Sequence, residues 1–164
     1  MCGIAGVITS GPGEKVRGVV DRMVKACRHR GPDAEHSVVL PLLGLRQLGL
    51  GHARLRILDL SEASAQPMED PETGSWLVYN GEIYNFRELR RQLASGGARF
   101  QSSGDTEVLF RALLRWGEAA LPWLSGMYAF GFWNGVEQRL LLGRDPFGIK
   151  PLFLGKAGED LVFG

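Results

Sequence analysis

Glycine cuts this chain into short pieces and so limits what it can build. It accounts for 23 of the 164 residues, roughly twice the usual share of about 7%, and it marks tight turns, helix stops and close approaches of backbones. Between these breaks, apolar residues recur at the helical period in three places. From Lys15 to Arg28, Val16, Val19, Val20, Met23, Val24 and Cys27 repeat at three and four before Gly31-Pro32 ends the pattern. Leu89 and Leu93 form a shorter stripe that opens at Asn85, with Glu88 three residues on as a capping box, and closes at Gly96-Gly97. Thr106 to Trp116 presents Val108, Leu109, Ala112 and Leu113, with Asp105 at its polar start and Gly117 as its stop.

The other apolar runs have the length of strands: Ile4 to Thr9, then 37–40, 48–52, 76–79, 127–133, 140–143, 152–154 and 161–163. Cys2 therefore stands at the lip of a sheet. Strands and helices alternate without a regular βα repeat, which predicts α+β or layered α/β rather than a doubly wound parallel sheet. With 45% apolar and 23% charged residues and neither repeat nor linker, residues 1–164 read as one folded domain. The last strand-like run is still under way at Phe163-Gly164, so the chain is expected to be one piece of a longer protein.

Bulk charge and cysteine content narrow the function classes. A net charge of +1 with interspersed signs offers no footprint for nucleic acid or anionic lipid; a small neutral or zwitterionic ligand fits better. No apolar stretch approaches the roughly 20 residues of a membrane span and no secretory signal opens the chain, so a cytoplasmic location and no membrane partner are expected. Two cysteines make neither a disulfide framework nor a zinc knuckle, and no metal site is expected.

Cys2 directly follows Met1, and chemistry has a use for that position. Removal of Met1 leaves a thiol and an α-amine on one residue. Their reference pKa values, about 8.5 and about 7.7–8.0, let the amine take the thiol's proton near neutral pH without a histidine. This is nucleophile and base in a single residue. Taken alone, Cys2 also reads as a chance cysteine in a frayed terminus.

The opening Cys2-Gly3-Ile4-Ala5-Gly6-Val7 resembles that of the class II glutamine amidotransferases. The likeness continues in "RHRGPD" (28–33), "GHARLRILD" (51–59), "NGEIYN" (80–85), "SGDTEV" (103–108), "LSGMYAF" (124–130) and "GRDPFGIKPLF" (143–153). Seven blocks in order cover nearly the whole chain, and "NGEIYN" looks most like the glutaminase domain of asparagine synthetases. The resemblance implies the N-terminal nucleophile hydrolase fold, an α+β, four-layer αββα sandwich of two antiparallel sheets. It also implies hydrolysis of L-glutamine to glutamate and ammonia, and a following C-terminal synthetase domain of the same polypeptide, absent from this chain. ATP and Mg belong to that second domain; the glutaminase needs no cofactor. A homodimer is compatible with all of this.

By the same resemblance Cys2 is the nucleophile, and Asn80 with the backbone N–H of Gly81 forms the oxyanion hole. Arg54 suits glutamine's α-carboxylate, which a guanidinium meets in planar, bidentate geometry. Asp105, assisted by Glu82, suits the α-ammonium, and the backbone around Leu58 completes the pocket. Outside the resemblance, Asn80-Gly81 also reads as a hairpin turn, Arg54 as a strand arginine and Asp105 as a helix N-terminal acid. Cys27 reads as an inert core thiol, His29 and His52 as structural hydrogen-bonding groups, and Arg87, Arg90, Arg91 and Arg99 as a solvated helix face. Pro146 and Gly148 would rigidify a bend. Other functions remain in view: a scaffold that has lost catalysis, an amidotransferase serving a sugar or peptide acceptor, and a thiol redox or metal module built on Cys2 and Cys27.

Overall fold

Alternation along the first strand sets the layering. In the computed structural model, which describes residues 1–56 and 61–164, β1 (Gly3–Ser10) sends Ile4 and Ile8 to one face and Ala5 and Val7 to the other, the two-residue period of a strand. Ala5 and Val7 meet helix α1 (Gly13–Ala26), whose buried Val16, Val20 and Val24 recur every fourth residue. Strands β2 (Ala34–Pro41), β3 (Arg46–Arg54), β8 (Leu154–Ala157) and β9 (Asp160–Phe163) join β1 in a five-stranded antiparallel sheet ordered β2-β3-β1-β9-β8.

A second antiparallel sheet, ordered β4-β5-β6-β7, contains β4 (Met68–Asp70), β5 (Ser75–Ile83), β6 (Gly126–Asn134) and β7 (Arg139–Arg144). On its outer face Leu77, Tyr79, Tyr128, Phe130 and Phe132 pack against α2 (Phe86–Ser95) and α3 (Asp105–Trp116). Its inner face gives Val78, Ala129 and Trp133 to a core shared with Ile4, Leu48, Leu50 and Phe163 of the first sheet. Helix, sheet, sheet, helices: the expected α+β, four-layer sandwich of two antiparallel sheets is the fold found. Phe163 is wedged so tightly between the sheets that a Cβ on Gly6 or Gly131 would meet its ring. None of the described helices is long and apolar enough to cross a membrane.

Several local expectations need correction. Helix α1 begins at Gly13 rather than Lys15, because the Pro12 carbonyl accepts the Lys15 and Val16 N–H groups (3.0 and 3.3 Å). It ends at Ala26, leaving Cys27 as its C-cap. Asn85 forms no side-chain cap. Its amide donates to the Trp123 carbonyl (2.9 Å) and its Oδ1 accepts the Ser125 N–H (3.0 Å), so a tertiary tie displaces the capping box. The strand expected at 152–154 lies at 154–157, and β4 was not anticipated.

Gly6→Ala should force the Phe163 ring to move and cost about 1–3 kcal/mol, the usual range for overpacking. Urea unfolding read against the parent protein measures this, and an unchanged midpoint would contradict the wedge.

Candidate active site

Cys2 immediately precedes the pairing of Gly3 with Ala53, so its position is set by the register of β1 on β3. Its Sγ accepts the Leu55 N–H (3.4 Å) and donates to the Leu55 carbonyl (3.7 Å). Its carbonyl accepts Nε of Arg30 (3.1 Å). Burial pushes the thiol above its ordinary pKa, and the Leu55 N–H, the N-terminal charge and Arg54 pull it back. Met1 is peptide-bonded to Cys2 here, so the α-nitrogen is an amide. Cys27, the other free thiol, packs beside Ala5, Val24 and Ala53, the core position read for it.

A cavity of about 190 Å³ opens in front of the thiol and is lined by Cys2, Arg54, Asn80, Gly81, Glu82 and Asp105 together. Its volume falls beneath the roughly 300–1,000 Å³ of sites for drug-sized ligands. Six of the seven residues expected at the site thus converge, from the start of β1, the end of β3, the middle of β5 and the start of α3. The seventh, Leu58, lies outside the described residues.

Asn80 and Gly81 sit inside β5, opposite Ala129 and Tyr128, so the pair is no hairpin turn. Glycine is required for a different reason: a Cβ at Gly81 would strike the Met127 carbonyl oxygen and crowd Tyr128. Asn80 is buried at 4% exposure.

Arg54, also 4% exposed, donates from Nη2 to the Ser61 carbonyl (2.9 Å), which holds the guanidinium beside the thiol. Asp105 is fixed through one oxygen: Oδ2 accepts the Tyr79 hydroxyl (2.7 Å) and the Ile83 N–H (2.9 Å). Burial, and then the Asp105 charge, raise the Tyr79 pKa well above its ordinary value, so the phenol stays a donor. Oδ1 has no hydrogen-bond partner among the described residues.

Supporting residues escaped the sequence reading. Gln66 accepts the Tyr79 N–H with Oε1 (2.6 Å), taking over as β5's partner just beyond its pairing with β4. Arg90 is not merely solvated: Nη2 donates to the carbonyls of Ser102 and Gly104 (2.9 and 3.0 Å) and the guanidinium lies over Phe100. Glu107 accepts the Gln101 and Ser102 N–H groups. Both brace the turn that delivers Asp105. Asp145 organises the bend after β7, accepting N–H groups from Phe147, Ile149, Lys150 and Tyr128. The bend itself was expected from Pro146 and Gly148; the part Asp145 plays in it was not, though an Asp at the head of a turn commonly binds the backbone that follows. His52 and Ser64 also border the cavity. Among the described residues no group of three or more His, Cys, Asp or Glu side chains is placed to hold a metal.

Residues 1–164 match the family described as the glutamine amidotransferase domain. The chain is 36% identical over 169 residues to asparagine synthetase (glutamine-hydrolysing) 1 of Bacillus subtilis, covering 99% of this chain and 25% of that protein. It is 39% identical over 168 residues to a putative asparagine synthetase (glutamine-hydrolysing) of Mycobacterium bovis, covering 94% of this chain and 25% of the relative. It therefore spans about a quarter of the length of these relatives. Its fold superposes on glutamine phosphoribosylpyrophosphate amidotransferase of B. subtilis with a TM-score of 0.77 at 21% identity, over 98% of this chain and 41% of that one.

His52 gives this site a measurable pH signature. It is fully buried, Nε2 bonds the Tyr79 carbonyl (3.2 Å), and burial lowers its pKa to about 3. The unfolded imidazole titrates near about 6.5, so between these values the unfolded chain holds the extra proton. Stability should therefore fall as pH drops from about 6.5 toward 3, by up to about 1.4 kcal/mol per pH unit from this residue. Denaturation of the parent and of His52→Asn across that window tests it; equal slopes would show that His52 is not the cause.

Proposed function

The chain belongs to the glutamine amidotransferase domain family, and on that premise we propose that its cavity hydrolyses the side-chain amide of L-glutamine with Cys2 as nucleophile. One observation carries the reading: Cys2, Arg54, Asn80, Gly81, Glu82 and Asp105 line a single small cavity. The Asn80 side chain, in a residue only 4% exposed, makes no hydrogen bond with any described residue, so its amide is open to a ligand in that cavity.

Removal of Met1 frees the Cys2 α-amine, which accepts the thiol proton. The thiolate attacks the carboxamide carbon, and the Asn80 amide with the Gly81 N–H stabilises the oxyanion. Collapse of the adduct breaks the C–N bond, the α-ammonium returns its proton to the departing nitrogen, and ammonia leaves. Water then cleaves the γ-glutamyl thioester, yielding glutamate and the free thiol. Arg54 binds the substrate's α-carboxylate; Asp105, through Oδ1, binds the α-ammonium together with Glu82. This half-reaction draws on no metal or organic cofactor.

The relatives' names and greater length support the rest of the proposal. Ammonia passes to a C-terminal synthetase domain of the same polypeptide, which uses ATP and Mg for asparagine synthesis, in the cytoplasm.

Protein with Met1 removed should release glutamate from glutamine, and Cys2→Ala should abolish this; activity persisting in that variant would end the proposal. Asn80→Ala should lower turnover about 10²–10³-fold with an unchanged melting temperature, and normal turnover would remove Asn80 from the oxyanion hole. Arg54→Ala should raise KM for glutamine at least about tenfold, the loss of one charge-assisted pair, and an unchanged KM would take Arg54 out of substrate recognition.

A further inference from the structure

Lys150 is a buried cation whose place in the fold the proposed chemistry leaves unused. It is 5% exposed, borders the nucleophile's cavity, and none of the ion pairs among the described residues includes it. Among the described residues its Nζ has a single hydrogen-bond partner, the sulfur of Met1 at 3.3 Å. A thioether is a weak acceptor, and a buried ammonium without a strong partner is costly. The backbone holds it there nonetheless: the Lys150 N–H is bound to Asp145 Oδ2 (3.0 Å) and its carbonyl to Arg144 Nε (2.7 Å). The loss of Met1 takes away even the thioether and leaves the ammonium in the cavity that Cys2 also lines.

We propose that in the mature domain Lys150 is a positioning residue, its ammonium holding the α-amine of Cys2 in the unprotonated form that can accept the thiol's proton. The idea rests on Cys2 being the N-terminal nucleophile. A positive charge nearby disfavours a second one on the amine and favours the thiolate. That opposes the effect of burial, which holds the thiol proton on. The other groups around Cys2 do not cancel this. From β3 come Arg54 and His52, the latter neutral. From β5 come Glu82 and the protonated Tyr79, and from α3 comes Asp105, already committed through Oδ2 to Tyr79 and Ile83. Arg30 reaches in after α1, with Nη2 3.9 Å from the same sulfur. Three cations thus face two carboxylates.

The test uses protein whose loss of Met1 is confirmed by intact mass, as parent, Lys150→Met and Lys150→Arg. Two pH profiles are recorded: kcat/KM for glutamine hydrolysis, and the rate of iodoacetamide alkylation at Cys2 read by peptide mass, which needs no glutamine. In Lys150→Met the acid limb of both should move up by about one pH unit, and Lys150→Arg should restore it. An unmoved limb in a folded Lys150→Met protein, or an equal displacement in Lys150→Arg, overturns the role of charge. Lys150→Gln carries the same test if the methionine variant does not fold. If no variant, the parent included, hydrolyses glutamine but the alkylation limb still moves with charge, the glutaminase reading fails and the Lys150 role stands.

Discussion

A nucleophile at a chain end works only if that end is held, and chain termini ordinarily fray. Here the terminal strand is the middle strand of its sheet. β1 pairs with β3 along its whole length, from Gly3 on Ala53 to Ser10 on Arg46, and with β9 from Gly6 to Ile8. Cys2, one residue outside this ladder, is fixed three more times, by the two Leu55 contacts and by Arg30. Gly31 makes the last of these possible. It lies so close to the backbone of Ala53 and Arg54 that a Cβ there would collide with both, and this close approach brings Arg30 over the Cys2 carbonyl. The rest of the site is built against that fixed point.

The second sheet supplies what the first cannot. β5 carries Tyr79, Asn80, Gly81 and Glu82 in succession, and alternation sends Tyr79 toward the helices while Asn80 stays on the cavity side. The Tyr79 hydroxyl then reaches the carboxylate at the start of α3. One strand therefore presents the Asn80 amide to the cavity and also orients the acid on the neighbouring helix. A helix N-terminus favours such an acid, and the Ile83 N–H adds a second donor.

The sequence was most legible where local physics decides structure. Helical periodicity located α1 and α3, and apolar runs of strand length located β1 and β6, with errors confined to ends; the run at 76–79 caught only the first half of β5 (Ser75–Ile83), since Asn80-Gly81 also read as a turn. It was least legible where a side chain reaches across the fold. Asn85 looked like a cap because Glu88 follows at the right spacing, yet a bond to Trp123, 38 residues away, uses its amide instead. Arg90 looked solvated because its neighbours Arg87 and Arg91 are; only the fold brings residues 100–104 beneath it. The paired sheets themselves came from the resemblance, since short strands broken by glycine carry no mark of which sheet they join. The site residues came from the same source. Chemistry alone supplied a role for Cys2; Arg54 and Asp105 do stand where their ordinary readings put them, at the end of β3 and the start of α3, the turn reading of Asn80 fails because it lies inside β5, and what the fold adds is their convergence on one cavity.

Two charged groups of the cavity are held by a second group: Asp105 leans on Tyr79 and Ile83, and Arg54 on the Ser61 carbonyl. Lys150 is anchored through its backbone, where Asp145 accepts its N–H. Asp145 shows the principle most plainly. Burial by itself would raise its pKa, but N–H groups from Lys150, Ile149, Tyr128 and Phe147 outweigh that and hold the carboxylate below its ordinary value. Its charge is thereby spent on fixing a loop. Recognition of a zwitterion depends on such rigidity, because a carboxylate and an ammonium a few bonds apart must meet opposite charges at one fixed separation. Side chains free to move would collapse onto one another and bind nothing. Donors aimed beforehand at a developing oxyanion likewise lose nothing to reorganisation when the charge appears. The glycine-broken strands, the close backbone approaches and the buried hydrogen bonds all have that single effect: opposite charges are kept apart around one cavity.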